Sequence, residues 1–202
     1  MKTQKQIWDA IAPEWHEHKK LSADATKDFL KEQTGNVLDL GSGSGRHLMK
    51  IKKGKMYLSD FSKEMIKLAE QKAKKQNIDA EFAVADMTKL PYEDNFFDSA
   101  ISVSALHCLE PKQHKKAIKE IHRVLKPGAK VFIGVWNRKS KRFKRAKTNE
   151  KLIGWTDKGK RYYYLFTEDE IHNLFKDAGF KLASSYNSEM MIRFVALKCQ
   201  TH

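Results

Sequence analysis

The amino-acid sequence predicts an α/β domain built on a mostly parallel sheet, with helices on both faces and an antiparallel hairpin at the end. Three observations carry that expectation. Short apolar runs alternate with helical patterns from Asn36 onward, one run enters a glycine-rich turn, and the last two runs look like a hairpin. Strands separated by helices make βαβ units, which bury both faces of a sheet.

In chain order, Ala23 to Gln33 reads as a helix that ends at Gly35. Strands follow at Asn36 to Leu40, Lys55 to Ser59, Ala80 to Ala85, Asp98 to Ser104 and Lys130 to Trp136. Met65, Leu68, Ala69 and Ala73 recur at helical spacing between the second and third of these. The helix Pro111 to Leu125 stops where Lys126, Pro127 and Gly128 supply a basic last turn and two breakers, so a strand has to follow at once. Thr167 is placed to cap a helix through Ala178, closed by Gly179, ahead of the hairpin of Lys181 to Tyr186 and Met191 to Lys198.

Composition narrows the function classes. The 202 residues carry 39 basic against 25 acidic side chains, a net charge of +14, and 41% are hydrophobic. A chain of this length buries roughly 70% of its unfolded surface around one core, which fits a single domain and excludes a collagenous or low-complexity chain. Met1 to Trp15 hold no signal-peptide run and no stretch reaches about 18 apolar residues, so a cytoplasmic chain with no membrane partner is expected. Cys108 and Cys199 form no CxxC and are too few for a disulfide framework or a thiolate zinc site, and both read as reduced and buried. His16 and His18 read as exposed loop residues, and no metal is expected.

The positive charge is local. Arg138 to Arg161 hold eleven basic residues against Glu150 and Asp157, which leaves +9 of the chain's +14 in one segment. Such a surplus favours a polyanion through counterion release. Charge runs are usually solvated loops, but a loop this long inside an α/β domain is more often a lid or binding surface than a connector.

Val37 to Arg46 reads as a strand entering a glycine-rich turn and then a helix. Glycines suit that turn because the backbone must bend sharply and let a ligand lie against it. The spacing is GxGxG rather than the GxGxxG of dinucleotide sites, and Asp39 precedes it; a carboxylate there would repel pyrophosphate but suit an ammonium or sulfonium. Asp60, 19 residues beyond Gly41, ends the second strand, where a carboxylate can accept both hydroxyls of a ribose, and Asp86 closes the third. Each aspartate alone reads as a cap or turn residue. Together, at the carboxyl ends of parallel strands, they converge on one cationic, ribose-bearing ligand.

The stretches LDLGSGSGR, YLSDFSKEMIKLA, FAVADMTKLPYEDNFFDSAISVSALHCL and EIHRVLKPGAKVFI resemble the class I S-adenosylmethionine-dependent methyltransferase superfamily from Val37 to Val135. The resemblance implies a Rossmann-like seven-stranded sheet with its last two strands antiparallel. It implies that Asp39 and the loop of Gly41, Ser42, Gly43 and Gly45 hold the methionine end of S-adenosyl-L-methionine, Asp60 the ribose, and Asp86 with Met87 the adenine. Arg46, Phe61 and Val103 are expected beside them, and Trp8 and Trp15 in IWDAIAPEW resemble the aromatic element that closes over the cofactor. The implied organisation is 1–35 as N-terminal cap helices, 36–136 as cofactor-binding core, 137–166 as basic substrate-binding insertion and 167–202 as C-terminal helix and hairpin.

Three further stretches resemble the family that methylates the carboxyl group of 5-carboxymethyluridine at the tRNA wobble position. They are IWDAIAPEWHEHKK, Leu106-His107 with Val135-Trp136-Asn137 entering the basic segment, and KRYYYLFTEDE from Lys160 to Glu170. The chain departs from that family at Lys19, where arginine is usual, and at Cys108, where a second histidine is usual; Lys19 keeps the charge but lacks the bidentate fork. The resemblance casts Lys19 as the clamp on the substrate carboxylate and His107 as orienting the uridine substituent; His107 reads equally well as a buried histidine bonded to backbone. It also implies a small zinc-binding activator subunit that adds a strand to an exposed sheet edge.

A carboxylate is already a nucleophile at neutral pH, so catalysis would be placement and exclusion of water, with no general base. On the tRNA anticodon stem-loop, Asn137, Arg138, Lys139, Arg142, Lys144, Arg145 and Arg161 would track phosphates. Tyr162, Tyr163 and Tyr164 offer rings to an unstacked base, at least one of them being core, and Trp136 reads as a pocket wall. Two rival readings are a methyltransferase acting on a quinone or small carboxylic acid, and a non-catalytic RNA-binding subunit that keeps the fold.

Overall fold

Side-chain alternation along the strands decides how the sheet is buried. The computed structural model describes residues 2–18 and 22–200. In β1 (Thr34–Leu40), Leu38 and Leu40 enter one apolar layer and Val37 the other; in β5 (Leu125–Trp136), Val131, Ile133 and Val135 join the first layer and Phe132 the second. α4 (Pro111–Val124) and α5 (Glu168–Asp177) cover the first layer through Ala117, Ile118, Ile121, Ile171 and Phe175. α2 (Asp24–Lys31) and α3 (Lys63–Gln76) cover the second through Phe29, Leu30, Ala69 and Ala73.

With β2 (Lys52–Asp60), β3 (Ala80–Val84), β4 (Phe97–Val103), β8 (Phe180–Ser185) and β9 (Met191–Lys198), the sheet has seven strands in the order β3-β2-β1-β4-β5-β9-β8. β1 to β5 run parallel, and β9 is antiparallel to both neighbours. The order reverses between β1 and β4, and a crevice opens at the carboxyl ends of the strands at such a point. α1 (Gln4–His18) packs on α3 beside that crevice. This is the expected Rossmann-like sheet with its C-terminal antiparallel hairpin, and the expected strand ends shift by at most a few residues except in β5, which starts at Leu125.

Some expectations are corrected. No helix follows the glycine turn: residues 41–47 are mainly turns, and β2 begins at Lys52. Gly41, Gly43 and Gly45 have φ of 71°, 54° and 74°, which a right-handed helix cannot contain, and short turns such as Gly45 N–H to Ser42 O (3.1 Å) replace it. The basic segment is not a continuous loop either. β6 (Glu150–Trp155) and β7 (Gly159–Tyr164) form an antiparallel hairpin, because Lys151, Ile153 and Trp155 alternate with exposed Glu150, Leu152 and Gly154. Thr156, at φ 48°, sits in its turn, and β7 packs against α1. His16 and His18 lie in the last turn of α1 rather than in a loop, and Cys199 is exposed rather than buried.

Thr167 caps α5 as expected: its Oγ1 accepts the Glu170 N–H at 3.4 Å, while Glu170 reaches back to the Thr167 N–H. Thr167→Ala is expected to lower the unfolding free energy by about 1 kcal/mol in a urea titration, with an unchanged m-value.

Candidate functional site

The ends of β1, β2 and β4 and the turn after β3 meet at a cavity of about 530 Å³, walled by Leu40 to Ser44, Ser59 to Phe61, Ala85 to Met87 and Val103 to Ala105. That volume lies in the range of small-molecule sites. Trp8 and Trp15 from α1, Leu152 from β6 and Tyr162 from β7 close it from the other side.

The glycine turn is tied down by Ser59, whose carbonyl accepts the N–H groups of Gly41 (2.7 Å) and Ser42 (3.1 Å). A Cβ at Gly41 would collide with Ala105, so that glycine serves packing. At Gly43 a Cβ would meet only Met65 Sδ at 4.0 Å, which leaves bare backbone facing open space. Gly45 is not on the wall. It packs on Leu58 and Ala69, and its carbonyl accepts Lys72 Nζ at 2.6 Å.

Negative charge dominates this end. Asp60, Asp86 and Glu110 line the cavity against Arg46, the one Lys or Arg side chain among the described lining residues. Asp60 accepts the N–H groups of Gly43 and Ser62, each at 2.9 Å, and burial pushes its carboxyl up to about 6. Asp86 gives one oxygen to the Thr88 N–H and hydroxyl at 2.8 Å each, the turn role of a lone aspartate. Asp39 lies beneath the wall rather than on it, 1% exposed, and neither carboxylate oxygen has a hydrogen-bond partner. Burial raises its carboxyl to about 7; the charges of Arg46 and Lys72 oppose this and that of Asp60 adds to it. Arg46 makes no bond to Asp39. Its guanidinium donates to Val103 O (3.1 Å), Ser104 Oγ (3.2 Å) and His47 Nε2 (3.0 Å). An unpaired buried carboxylate, an acidic wall and a bare glycine backbone fit a cationic ligand bearing a ribose, and disfavour a phosphate.

The opposite side differs from expectation. His107 is 1% exposed and off the wall; its Nδ1 accepts the Trp136 N–H at 2.9 Å, which puts the neutral ring's proton on Nε2. Burial, helped by the charge of Arg46, holds it down to about 3, so it anchors Trp136 as an uncharged ring. Tyr163 is 2% exposed and stacks on Trp136 at 4.3 Å, and Tyr164 belongs to the first core layer; of the three tyrosines only Tyr162 lines the cavity. Cys108 lines it too, and burial pushes its thiol up to about 12. Arg161 is buried among rings rather than presented to solvent. Lys19 lies outside the described residues.

In the basic segment, Arg138 is not open to a phosphate: it donates to Asn149 Oδ1 (3.3 Å), Phe143 O (3.3 Å) and Ala146 O (2.5 Å), closing its own loop. Asn137 Oδ1 accepts the Lys139 N–H at 2.9 Å, a local turn. Arg142 lies over the Trp136 ring at 5.1 Å. Lys139, Lys144 and Arg145 are exposed and hold no ion pair among the described residues. Sequence reasoning missed Gln4, whose side chain accepts the Tyr162 N–H (2.8 Å) and donates to Lys160 O (3.1 Å), pinning the hairpin to α1. It also missed Asp9, which accepts from Ser62 Oγ at 2.6 Å, and Trp155 and Leu152, which the alternation in KLIGW could have placed.

A carboxyl raised by burial stabilises the fold below its unfolded value of 3.8, and that contribution is lost as pH rises through about 7. Ligand-free Asp39→Asn is therefore expected to melt above the parent chain at pH 8, with the gain shrinking toward pH 5, as followed by circular dichroism.

Comparison with known proteins agrees with this geometry. Residues 37–128 match the family model described as a methyltransferase domain. The chain is 37% identical over 133 residues to the tRNA (carboxymethyluridine(34)-5-O)-methyltransferase of Arabidopsis thaliana, an alignment that takes in 64% of this chain and 31% of that protein. It is 32% identical over 145 residues to the 2-phytyl-1,4-naphtoquinone methyltransferase of Nostoc punctiforme, 68% of this chain and 56% of the relative. The chain thus spans about a third of the length of the Arabidopsis relative. The fold is shared with a chain from the complex between the Haloferax volcanii Trm112 methyltransferase activator and a methyltransferase, at TM-score 0.76 and 20% identity over 99% of both chains. Residues 37–128, built around the acidic crevice, are thus a methyltransferase domain whose cofactor is S-adenosylmethionine.

Proposed function

We propose that the chain transfers a methyl group from S-adenosylmethionine to the carboxylate of a carboxymethyl group on the wobble uridine of tRNA. The observation that carries this reading is that neither His107 nor Cys108, the groups at the acceptor side that the family pattern singles out, is available as a base. His107 is an uncharged ring whose Nδ1 lone pair is taken up by the Trp136 N–H and whose basicity burial lowers, and the Cys108 thiol stays protonated. An acceptor that needed deprotonation would find no partner in either group, whereas a carboxylate needs none. The relative in Arabidopsis is named for that substrate. The quinone reading has a relative too, but methylation of a ring carbon or of a hydroxyl calls for proton removal at the acceptor.

Bound, the cofactor would supply an electrophilic methyl group on a sulfonium. The Gly41 to Gly43 backbone with Ser42 would carry its methionine end, Asp60 the ribose, and Asp86 and Met87 the adenine edge, with Phe61 and Val103 as wall. Asp39 acts from beneath through its field, since it makes no wall contact. Trp8 and Trp15 exclude water. Exposed Lys139, Lys144 and Arg145 are suited to RNA phosphates in a cytoplasmic setting, and Tyr162 to a base at the cavity mouth.

The expected activator finds a candidate edge in β3, which pairs on one side only, with β2, and ends on half-exposed Val84. Among the described residues no helix is long and apolar enough to cross a membrane.

The test is methyl transfer from labelled donor to anticodon stem-loops. Label is expected on the carboxymethyluridine form and not on the unmodified form, while equal or absent labelling contradicts the reading. Reversing the charge of Lys144 and Arg145 together is expected to weaken stem-loop binding and lower the salt slope by about 1 to 2.

A further inference from the structure

Arg161 presents a charge that the fold leaves unfinished. It sits on β7 at 5% exposure, with its guanidinium carbon 4.9 Å from the Trp155 ring centre, 5.0 Å from Trp15, 5.3 Å from Tyr163 and 5.6 Å from Trp8. Of its five N–H donors, one on Nη1 is given to Tyr163 Oη at 2.6 Å, and Nε is buried with no partner. No carboxylate among the described residues pairs with it.

An arginine does not shed its proton, so it cannot escape burial by becoming neutral. The ring faces offset part of the cost through cation–π attraction, but they satisfy no N–H group. What remains is a planar fork with open donors, whose geometric match is a carboxylate. The cage borders the cavity: its rings Trp8 and Trp15 are wall residues, and Arg161 stands directly behind them. Cys108, another wall residue, feels the Arg161 charge.

We propose that Arg161 holds the carboxylate of the methyl acceptor, a role that the sequence pattern had assigned to Lys19. The assignment rests on the carboxylate acceptor under Proposed function. One carboxylate oxygen lies in the fork and the other takes the methyl group. A carbon–oxygen bond forms, the carbon–sulfur bond breaks with its electron pair going to sulfur, and no proton moves. The ester so formed is uncharged. The fork therefore loses its hold on the product as it is made, which favours release.

The test compares binding of anticodon stem-loops that carry either carboxymethyluridine or its neutral carbamoylmethyl counterpart, followed by tryptophan fluorescence of the full chain, with circular dichroism to check folding. The parent chain is expected to prefer the acid at least tenfold, and Arg161→Met to bind both forms alike with a raised KM for the acid. Arg161→Lys, for the case in which the Met variant does not fold, is expected to reduce the preference severalfold without abolishing it. An unchanged preference in whichever variant folds overturns the Arg161 assignment and leaves the acceptor reading standing. Equal binding of both stem-loops by the parent chain overturns both.

Discussion

Unpaired negative charge at the carboxyl edge of the sheet is the constraint around which the site is arranged. Asp39 is fully buried with two unpartnered oxygens, although Arg46 and Lys72 are near enough to bias its titration. Both cations are engaged elsewhere, Arg46 on Val103 and Ser104 and Lys72 on the Gly45 carbonyl. A fold arranged for stability alone would let one of them swing onto the carboxylate. The free protein instead carries the desolvation cost, and a cation arriving in the cavity relieves it.

Across the cavity the sign is reversed. The hairpin of β6 and β7 and the helix α1 build an aromatic roof that holds Arg161 without a counter-charge among the described residues. An acidic floor and a cationic roof suit a reaction between a sulfonium and a carboxylate, which consumes one charge of each sign. A cavity poor in water favours such a change, because opposite charges attract more strongly there and neutral products lose least. The tryptophans that line the roof supply that environment.

Much of this was legible in the sequence, for reasons that differ by element. β1 and β4 could be read because strands buried on both faces are short apolar runs, and the end of α4 because Pro127 and Gly128 break a helix. The glycine turn and its aspartates could be placed at strand ends, but not the depth of Asp39, which depends on burial by the assembled fold rather than on any local signal. The hairpin β6–β7 was hidden by its own charge: lysines in KLIGW and GKRYYY outweighed an alternation that was present. Arg161 and Tyr163 read as surface residues because nothing local reveals that Gln4, more than 150 residues away, pins their strand against α1. His107 read either as a substrate contact or as a buried histidine bonded to backbone, and burial with one backbone hydrogen bond decides for the second.

The central claim is that a cation is held over buried carboxyl groups that titrate near neutrality, Asp39 at about 7 and Asp60 at about 6. A bound cation lowers both values, so binding must expel protons where the free groups are partly protonated. Titration calorimetry with S-adenosylmethionine at pH 6.5, repeated in buffers of different ionisation enthalpy, measures this directly. The account predicts net proton release that fades by pH 9. Heats independent of the buffer at pH 6.5 would contradict it.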